Sequence, residues 1–191
     1  MAIIIIFIYS GKGYKMKNIL AIIGSPRNQG NTYYAVKKIC EEILCYSNVN
    51  IDFLFLNEIN LKPCKGCLLC LTKGEDKCPI EDDKYKIDEM IKNADLVIFA
   101  TPVYGLNVSG IFKNFLDRYS YHAHRPGFLN KKAAFIVTAA GLGIKETLKV
   151  MNFIEVWGFK VIYKTGIITP PLQLTEKCIK KNLHSWFFLC G

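Results

Sequence analysis

Four cysteines lie close together in one polar stretch of the chain, PCKGCLLCLTKGEDKCP at residues 63–79. Cys64, Cys67, Cys70 and Cys78 follow the pattern C-x2-C-x2-C-x7-C. Three thiolates at the first two spacings can converge on one face of an iron–sulfur cluster, and a [4Fe–4S] cluster is the interpretation we favour. Zinc is a competing occupant, although its four-cysteine sites usually consist of two separated pairs. A loop of free thiols is the third possibility.

The rest of the chain favours metal or redox chemistry over structural disulfides. Residues 2–8 are apolar but lack a basic leading region and a small-residue cleavage site, so they do not resemble a secretory signal. We therefore expect a reducing, cytoplasmic compartment, in which clustered cysteines usually bind metal or undergo redox reactions. Cys40, Cys45, Cys178 and Cys190 lie on or beside helical patterns, and we expect them to fill the core.

A second chemically equipped stretch is GSPRNQGNT at residues 24–32. Gly24 permits a tight turn, Arg27 adds a cation, and the following helix would direct backbone N–H groups toward the same point. This combination suits a phosphate monoester. The glycine spacing of the dinucleotide-binding fingerprint is absent. The predicted phosphate-binding residues are Ser25, Arg27, Asn28, Gly30, Asn31 and Thr32.

A third stretch, TPVYGLNVSGIFKNFLDR at residues 101–118, offers an aromatic face and main-chain polar groups. A flavin ring requires a flat apolar surface, donors for its carbonyl oxygens and an acceptor for its ring N–H. A later loop, AAGLG at residues 139–143, is rich enough in glycine to let a ring approach the backbone. The predicted ring-binding residues are Pro102, Val103, Tyr104, Gly105, Leu106, Asn107, Ala140 and Gly141. We interpret Lys113 and Asp117, on the helix that follows, as a surface ion pair.

Alternating strands and helices would bring these stretches together. Aliphatic runs predict strands, and apolar residues at helical spacing predict the helices between them. Such an alternation predicts a parallel sheet with helices on both faces, which binds its ligands beyond the carboxyl ends of the strands. The predicted strands are 18–24, 50–56, 95–102, 133–141 and 159–168. The predicted helices are 32–46, 82–94, 109–121, 146–157 and 174–189.

Length and composition favour one packed domain and exclude several functional classes. The chain has 191 residues, 51% of them hydrophobic, and a net charge of +9. Its lysines are spread along the chain without an arginine-rich block, so we expect no nucleic-acid partner. No segment reaches the roughly 18 apolar residues of a membrane span. His122 and His124 lack an obvious third metal ligand, and we place them in a loop near the flavin or at a subunit contact.

Together, the three motifs resemble those of the NADPH-dependent FMN reductase family of flavodoxin-like proteins. The resemblance extends from about Met16 to Trp157, and the cysteine stretch is similar to that of the iron–sulfur flavoprotein branch. It implies a five-stranded sheet of order 2-1-3-4-5, non-covalent FMN, and a homodimer or homotetramer. Residues 1–15 would be an N-terminal extension, and residues 16–191 one domain with a cysteine-rich loop at 62–80.

The resemblance also implies a function. It predicts an FMN-dependent NAD(P)H oxidoreductase, with NADPH, NADH or a ferredoxin as electron donor and a quinone, a flavin or another molecule as acceptor. The flavin would carry the chemistry, so no catalytic side chain is predicted. The alternative is an iron–sulfur flavoprotein that carries single electrons or senses redox state without a substrate of its own.

Overall fold

The structure is a computed structural model, and it describes residues 17–169. The predicted N-terminal extension, the predicted helix at 174–189, Cys178 and Cys190 lie outside the described residues.

Within residues 17–169, five parallel strands form the sheet, in the order β2-β1-β3-β5-β6. They are β1 (Asn18–Ile23), β2 (Asn50–Phe55), β3 (Leu96–Tyr104), β5 (Lys132–Ala139) and β6 (Lys160–Ile168). Counted without the short strand β4 (Asn107–Val108), this is the predicted order 2-1-3-4-5, which is confirmed. The sequence analysis missed β4, which pairs antiparallel with the end of β3. A strand of two residues is too short to show a periodic pattern.

The strands are apolar because both faces of the sheet are covered. Successive residues of β1 alternate between the two cores: Leu20 and Ile22 face one, and Ile19, Ala21 and Ile23 face the other. Parallel pairing sets Ile23 beside Ala100 of β3 and Phe55 of β2. The loops after β1, β2 and β3 therefore leave the sheet at the same end.

Five α-helices connect the strands: α1 (Asn31–Tyr46), α2 (Leu69–Thr72), α3 (Lys84–Asn93), α4 (Gly110–Tyr119) and α5 (Ile144–Met151). The predicted helix at 146–157 begins earlier than expected and continues after Met151 as a 3-10 helix, Asn152–Trp157. The short α2, inside the cysteine loop, was not predicted. Within residues 17–169, no helix combines the length and apolarity needed to cross a membrane.

The helices lie on both faces of the sheet, as predicted. α1 packs on one face through Val36, Cys40 and Ile43. On the other face, α3 contributes Ile87, and α4 contributes Phe112 and other aromatic side chains. Cys40 is the core residue that we expected. Cys45 is exposed, so its prediction as a core residue was wrong: it lies near the end of α1, beyond the residues that contact the sheet.

Candidate functional site

Three loops meet at the carboxyl ends of β1, β3 and β5, and hydrogen bonds join them. The amide of Gly24 donates to the carbonyl of Ala100 over 2.7 Å. The hydroxyl of Ser109 donates to the carbonyl of Gly24, which ties the loop after β1 to the start of α4. On the other side, the hydroxyls of Thr32 and Thr138 share a hydrogen bond of 2.7 Å. The structure thus brings the predicted phosphate and ring loops to one end of the sheet.

The loop after β1 packs closely against α4. A Cβ on Gly24 would lie 2.5 Å from Cδ2 of Phe112, so only glycine fits there. Ser25 is buried and accepts a hydrogen bond from the amide of Arg27 over 3.2 Å. A Cβ on Gly30 would lie 3.1 Å from Cβ of Arg27, which makes the turn before α1 similarly compact. The sequence analysis explained Gly24 by a tight turn, and the structure adds close packing at both glycines.

The amino terminus of α1 offers a binding site for an anion. The capping residue of this 16-residue helix is Gly30, which has no side chain to accept a hydrogen bond from the amides of the first turn. The first turn contains no acidic residue, so the positive end of the helix dipole is not neutralised there. Arg27 is exposed beside it. Backbone donors, helix dipole and guanidinium together suit a phosphate group.

Thr32 and Asn28, which we predicted to bind the phosphate, form side-chain hydrogen bonds with residues outside the loop. Thr32 is buried, and its hydroxyl is the one that contacts Thr138. Asn28 donates to a carboxylate oxygen of Glu58 and accepts from the side-chain amide of Asn57. Asn57 also donates to the carbonyl of Pro26 over 3.4 Å. The start of the loop after β2 therefore supports the predicted phosphate loop. The sequence analysis missed this contact because Asn57 and Glu58 are 29 and 30 positions away from Asn28.

The loop after β3 is a tight hairpin. Val103 pairs with Val108 and Tyr104 with Asn107, and the two residues between them, Gly105 and Leu106, have φ of 57° and 60°. Positive φ at both central positions is the geometry of a type I′ turn, which suits hairpins. Leucine rarely adopts this conformation. The turn holds the side chains of Tyr104 and Leu106 in an exposed position at the end of the sheet.

The loop after β5 contacts this hairpin. Ala140 and Gly141 are exposed, as is Leu142. A Cβ on Gly143 would lie 2.7 Å from Cγ1 of Val103, and φ of Gly143 is 90°, so both space and backbone require glycine. An anion-binding helix terminus and an exposed apolar hairpin thus lie at the same end of the sheet. The donors at the helix terminus fit the phosphate of FMN, and the exposed apolar hairpin fits its planar ring.

The four cysteines lie on one surface loop between β2 and α3. Cys64 and Cys67 are exposed, and Cys70 and Cys78 are partly buried. Burial raises the pKa of Cys70, and the charges of Cys78 and Cys64 raise it further. In the described part of the chain, no three cysteine, histidine or carboxylate side chains are arranged so that they could hold a metal ion. The donor set fits an iron–sulfur cluster, and all four cysteines would have to converge to bind one.

A cavity of about 810 Å³ lies at the opposite end of the sheet. Asn18 and Asn50, at the amino ends of β1 and β2, line it together with Lys37 and Cys40 of α1. None of the predicted site residues lines this cavity. Ligands of parallel sheets bind at the carboxyl ends of the strands, so we assign the functional site to the three loops.

Comparison with known proteins identifies the family of the chain. Residues 17–165 match the NADPH-dependent FMN reductase family. The chain belongs to this family. It is 33% identical over 165 residues to an iron–sulfur flavoprotein of Archaeoglobus fulgidus, covering 85% of this chain and 74% of that protein. A second iron–sulfur flavoprotein of that organism is 41% identical over 100 residues, which cover 52% of this family member. The match spans 47% of that relative, about half of its length.

The fold of this FMN reductase family member also matches solved structures. The NAD(P)H:quinone oxidoreductase of Methanothermobacter marburgensis superposes with a TM-score of 0.64, covering 89% of this chain and 93% of that chain. At 17% sequence identity, this similarity supports the flavodoxin-like fold.

Proposed function

We propose that the chain binds FMN at the three loops and uses it to transfer electrons from NADPH or NADH to an acceptor. One observation carries the proposal: the α1 terminus, with no capping side chain and with Arg27 beside it, lies at the same end of the sheet as the hairpin of Tyr104. Membership of the NADPH-dependent FMN reductase family supports it.

The residues of the chain would bind and orient the cofactor. Ser25, Arg27, Gly30 and the first turn of α1 would hold the phosphate, with Asn28 supporting the loop through Asn57 and Glu58. Residues 102–107 and 140–141 would surround the ring, and the exposed apolar side chains of the hairpin would shield it from water. Bound FMN supplies the redox chemistry, because it accepts a hydride and releases electrons one or two at a time.

We further propose that Cys64, Cys67, Cys70 and Cys78 bind a [4Fe–4S] cluster. The relatives named iron–sulfur flavoproteins support this assignment, as does the presence of all four cysteines on one surface loop. A cluster-bearing chain without its own substrate would be an electron carrier or redox sensor, and this is the second candidate function. A ferredoxin as donor, a quinone or flavin as acceptor, a homodimer or homotetramer, and a cytoplasmic location belong to the same proposal.

Anaerobic purification followed by an absorption spectrum and analysis of iron, zinc and phosphorus tests both cofactors. We expect a flavin spectrum, one phosphorus and about four iron atoms per chain. A flavin spectrum without iron would remove the cluster and leave the FMN assignment standing. Rapid oxidation of NADPH or NADH by the purified protein would favour the reductase over the carrier.

Substitution of the phosphate loop tests the FMN site directly. We expect Arg27→Ala combined with Asn31→Ala to weaken FMN binding roughly 100-fold or more, since two hydrogen bonds to a charged group contribute about 1.5–3 kcal/mol each. Flavin fluorescence during titration of the apoprotein measures the dissociation constant. Lys37→Ala is the matched control, because this exposed lysine lies on the same helix but lines the cavity at the opposite end of the sheet. Equal affinity in all three proteins would contradict the assignment.

A further inference from the structure

A buried ion pair closes the base of the cysteine loop. The side chains of Asp82 and Arg118 are 1% and 2% exposed. Nη1 of Arg118 contacts Oδ2 of Asp82, and Nη2 donates to Oδ1 over 3.3 Å, so the guanidinium meets the carboxylate with two nitrogens. Arg118 lies near the end of α4, and Asp82 lies just before α3. The pair therefore joins the far end of the cysteine loop to the helix that follows the ring-binding hairpin.

The same pair also holds the near end of the loop. The amide of Lys62 donates to Oδ2 of Asp82 over 2.9 Å, and Nη1 of Arg118 donates to the carbonyl of Lys62 over 2.7 Å. Both main-chain polar groups of residue 62 are thus bound by the ion pair. Because residue 62 precedes the first cysteine and residue 82 follows the fourth, the pair closes the loop around all four cysteines.

Neighbouring contacts reinforce this closure. The amide of Asp83 donates to the carbonyl of Asn60 over 3.0 Å, and the amide of Asn60 donates to Oδ2 of Asp83 over 3.2 Å. The side-chain amide of Asn114 donates to the carbonyl of Leu61 over 2.7 Å. Asn114 and Arg118 are four residues apart and so lie on one face of α4. Three consecutive residues, 60–62, are therefore bound to α4 or to the start of α3.

The closed base keeps the first and fourth cysteines near each other. Cys64 is two residues beyond Lys62, and Cys78 is four residues before Asp82. A buried ion pair is often no more stabilising than apolar residues of the same volume, and its best-attested role is to specify one conformation. That role fits a pair whose hydrogen bonds fix both ends of a loop.

We propose that the Asp82–Arg118 pair is a clasp that positions the four cysteines for binding a metal cluster. Both residues are positioning residues, and neither is a ligand. This proposal rests on the proposed function because it takes an iron–sulfur cluster as the ligand. The convergence of the thiols can nevertheless be measured without a cluster.

The test replaces the pair with apolar residues of similar size, Asp82→Leu with Arg118→Met. The probe is phenylarsine oxide, which binds tightly only where two thiols converge, applied to the metal-free protein in reducing buffer. Cys64→Ser with Cys78→Ser identifies the part of the binding that requires the first and fourth cysteines of the loop. We call Asp82→Leu with Arg118→Met the clasp variant. For this part of the binding, we expect its affinity for phenylarsine oxide to be at least about tenfold lower than that of the wild type, because the effective concentration of one thiol near another falls when the loop opens.

A matched control is Lys113→Met with Asp117→Leu, which removes the exposed ion pair on the same helix. We expect it to bind the arsenical like the wild type. Thermal unfolding and FMN affinity distinguish an opened loop from a damaged fold, and both should be unchanged in the clasp variant. If that variant does not fold, Arg118→Lys decides the question, because it keeps the charge but loses the two-nitrogen contact.

Anaerobic reconstitution with iron and sulfide separates this proposal from the proposed function. A wild type that binds the arsenical tightly but takes up no iron would contradict the cluster and leave the clasp in place. A clasp variant that binds both the arsenical and iron like the wild type would overturn the clasp and leave the cluster in place. Loss of both ligands in the clasp variant, with FMN retained, is the result we expect.

Discussion

At the scale of single residues, burial gives His122 a different role from the one its sequence suggests. We expected a loop near the flavin or a subunit contact, but the structure places His122 in an aromatic core. The ring centroids of Tyr121 and Phe128 lie 4.2 Å and 4.5 Å from that of His122. Nδ1 lies 3.0 Å from the carbonyl of Arg125 and donates to it, and Nε2 has no hydrogen-bond partner among the described residues. This imidazole is a packed, neutral side chain.

The environment of His122 predicts a pH dependence of stability. Burial lowers the pKa of His122 and Lys84 lowers it too, whereas the hydrogen bond to Arg125 and the charges of Asp88 and Glu75 oppose the shift. A pKa below the unfolded value of about 6.5 means that the unfolded chain binds more protons in acid, so stability falls as the pH drops below about 6.5. Urea unfolding at pH 7.5 and pH 5.5 measures this loss.

The variant His122→Phe should show a smaller loss of stability between these two pH values, because it cannot bind the proton. His124→Gln is the matched control, since His124 is exposed two residues away. It should lose as much stability as the wild type. An unchanged loss in His122→Phe would assign the pH dependence to other groups.

At the scale of elements, the site depends on how helix starts are fastened to strand ends. Ser109 caps α4 by accepting from the amide of Phe112 over 3.2 Å, and its hydroxyl also donates to the carbonyl of Gly24. The amide of Ser109 donates to the side-chain hydroxyl of Thr101 over 3.1 Å. One buried serine therefore joins the end of β3, the start of α4 and the phosphate loop.

Loss of this junction should affect stability and cofactor binding together. We expect Ser109→Ala to lower the free energy of unfolding by about 1–2 kcal/mol, through the lost cap and the unsatisfied carbonyl of Gly24. FMN affinity should fall as well, because the phosphate loop loses an anchor. Ser120→Ala is the control at the other end of α4, where the hydroxyl is exposed and bonds to the carbonyl of Asp117. Equal effects of the two substitutions would contradict the role of Ser109.

At the scale of the whole molecule, the two cores on either side of the sheet divide the cysteines into chemical classes. Cys40 lies in the core beneath α1, and burial, followed by the charge of Glu41, raises its pKa to about 12. Cys45 lies on the same helix but is exposed. The cysteine loop lies outside both cores. Access to solvent, rather than position along the chain, therefore sets the reactivity of each thiol.

This division predicts the order in which an alkylating agent modifies the metal-free protein. With iodoacetamide at pH 8, we expect Cys45, Cys64 and Cys67 to react first, and Cys70 and Cys78 more slowly. Cys40 should react only after unfolding. Mass spectrometry of peptides at successive times measures each rate. Modification of Cys40 as fast as that of Cys45 in the folded protein would contradict the described burial.

The features that the sequence predicted depend on residues that lie close together in the chain. The strands and the helices on both faces follow from aliphatic runs that alternate with amphipathic ones, whereas the strand order was implied by the resemblance to the FMN reductase family. The loops that we predict to bind the phosphate and the ring were chosen by their residue types, and they lie together because parallel strands end at the same edge. The short strand β4, the helix α2 and the exposure of Cys45 were missed, because each depends on a turn or on the end of an element, where periodicity is weakest.

The sequence by itself determined the family, the sheet and the stretches that carry the chemistry, because these are set by residue types at short spacing. Only the tertiary structure decided which side chains support them. The contacts of Asp82 with Arg118, Ser109 with Gly24 and Asn28 with Asn57 join residues about 29 to 85 positions apart. Such pairs leave no local pattern, since the folding of the sheet alone brings their partners within hydrogen-bonding distance.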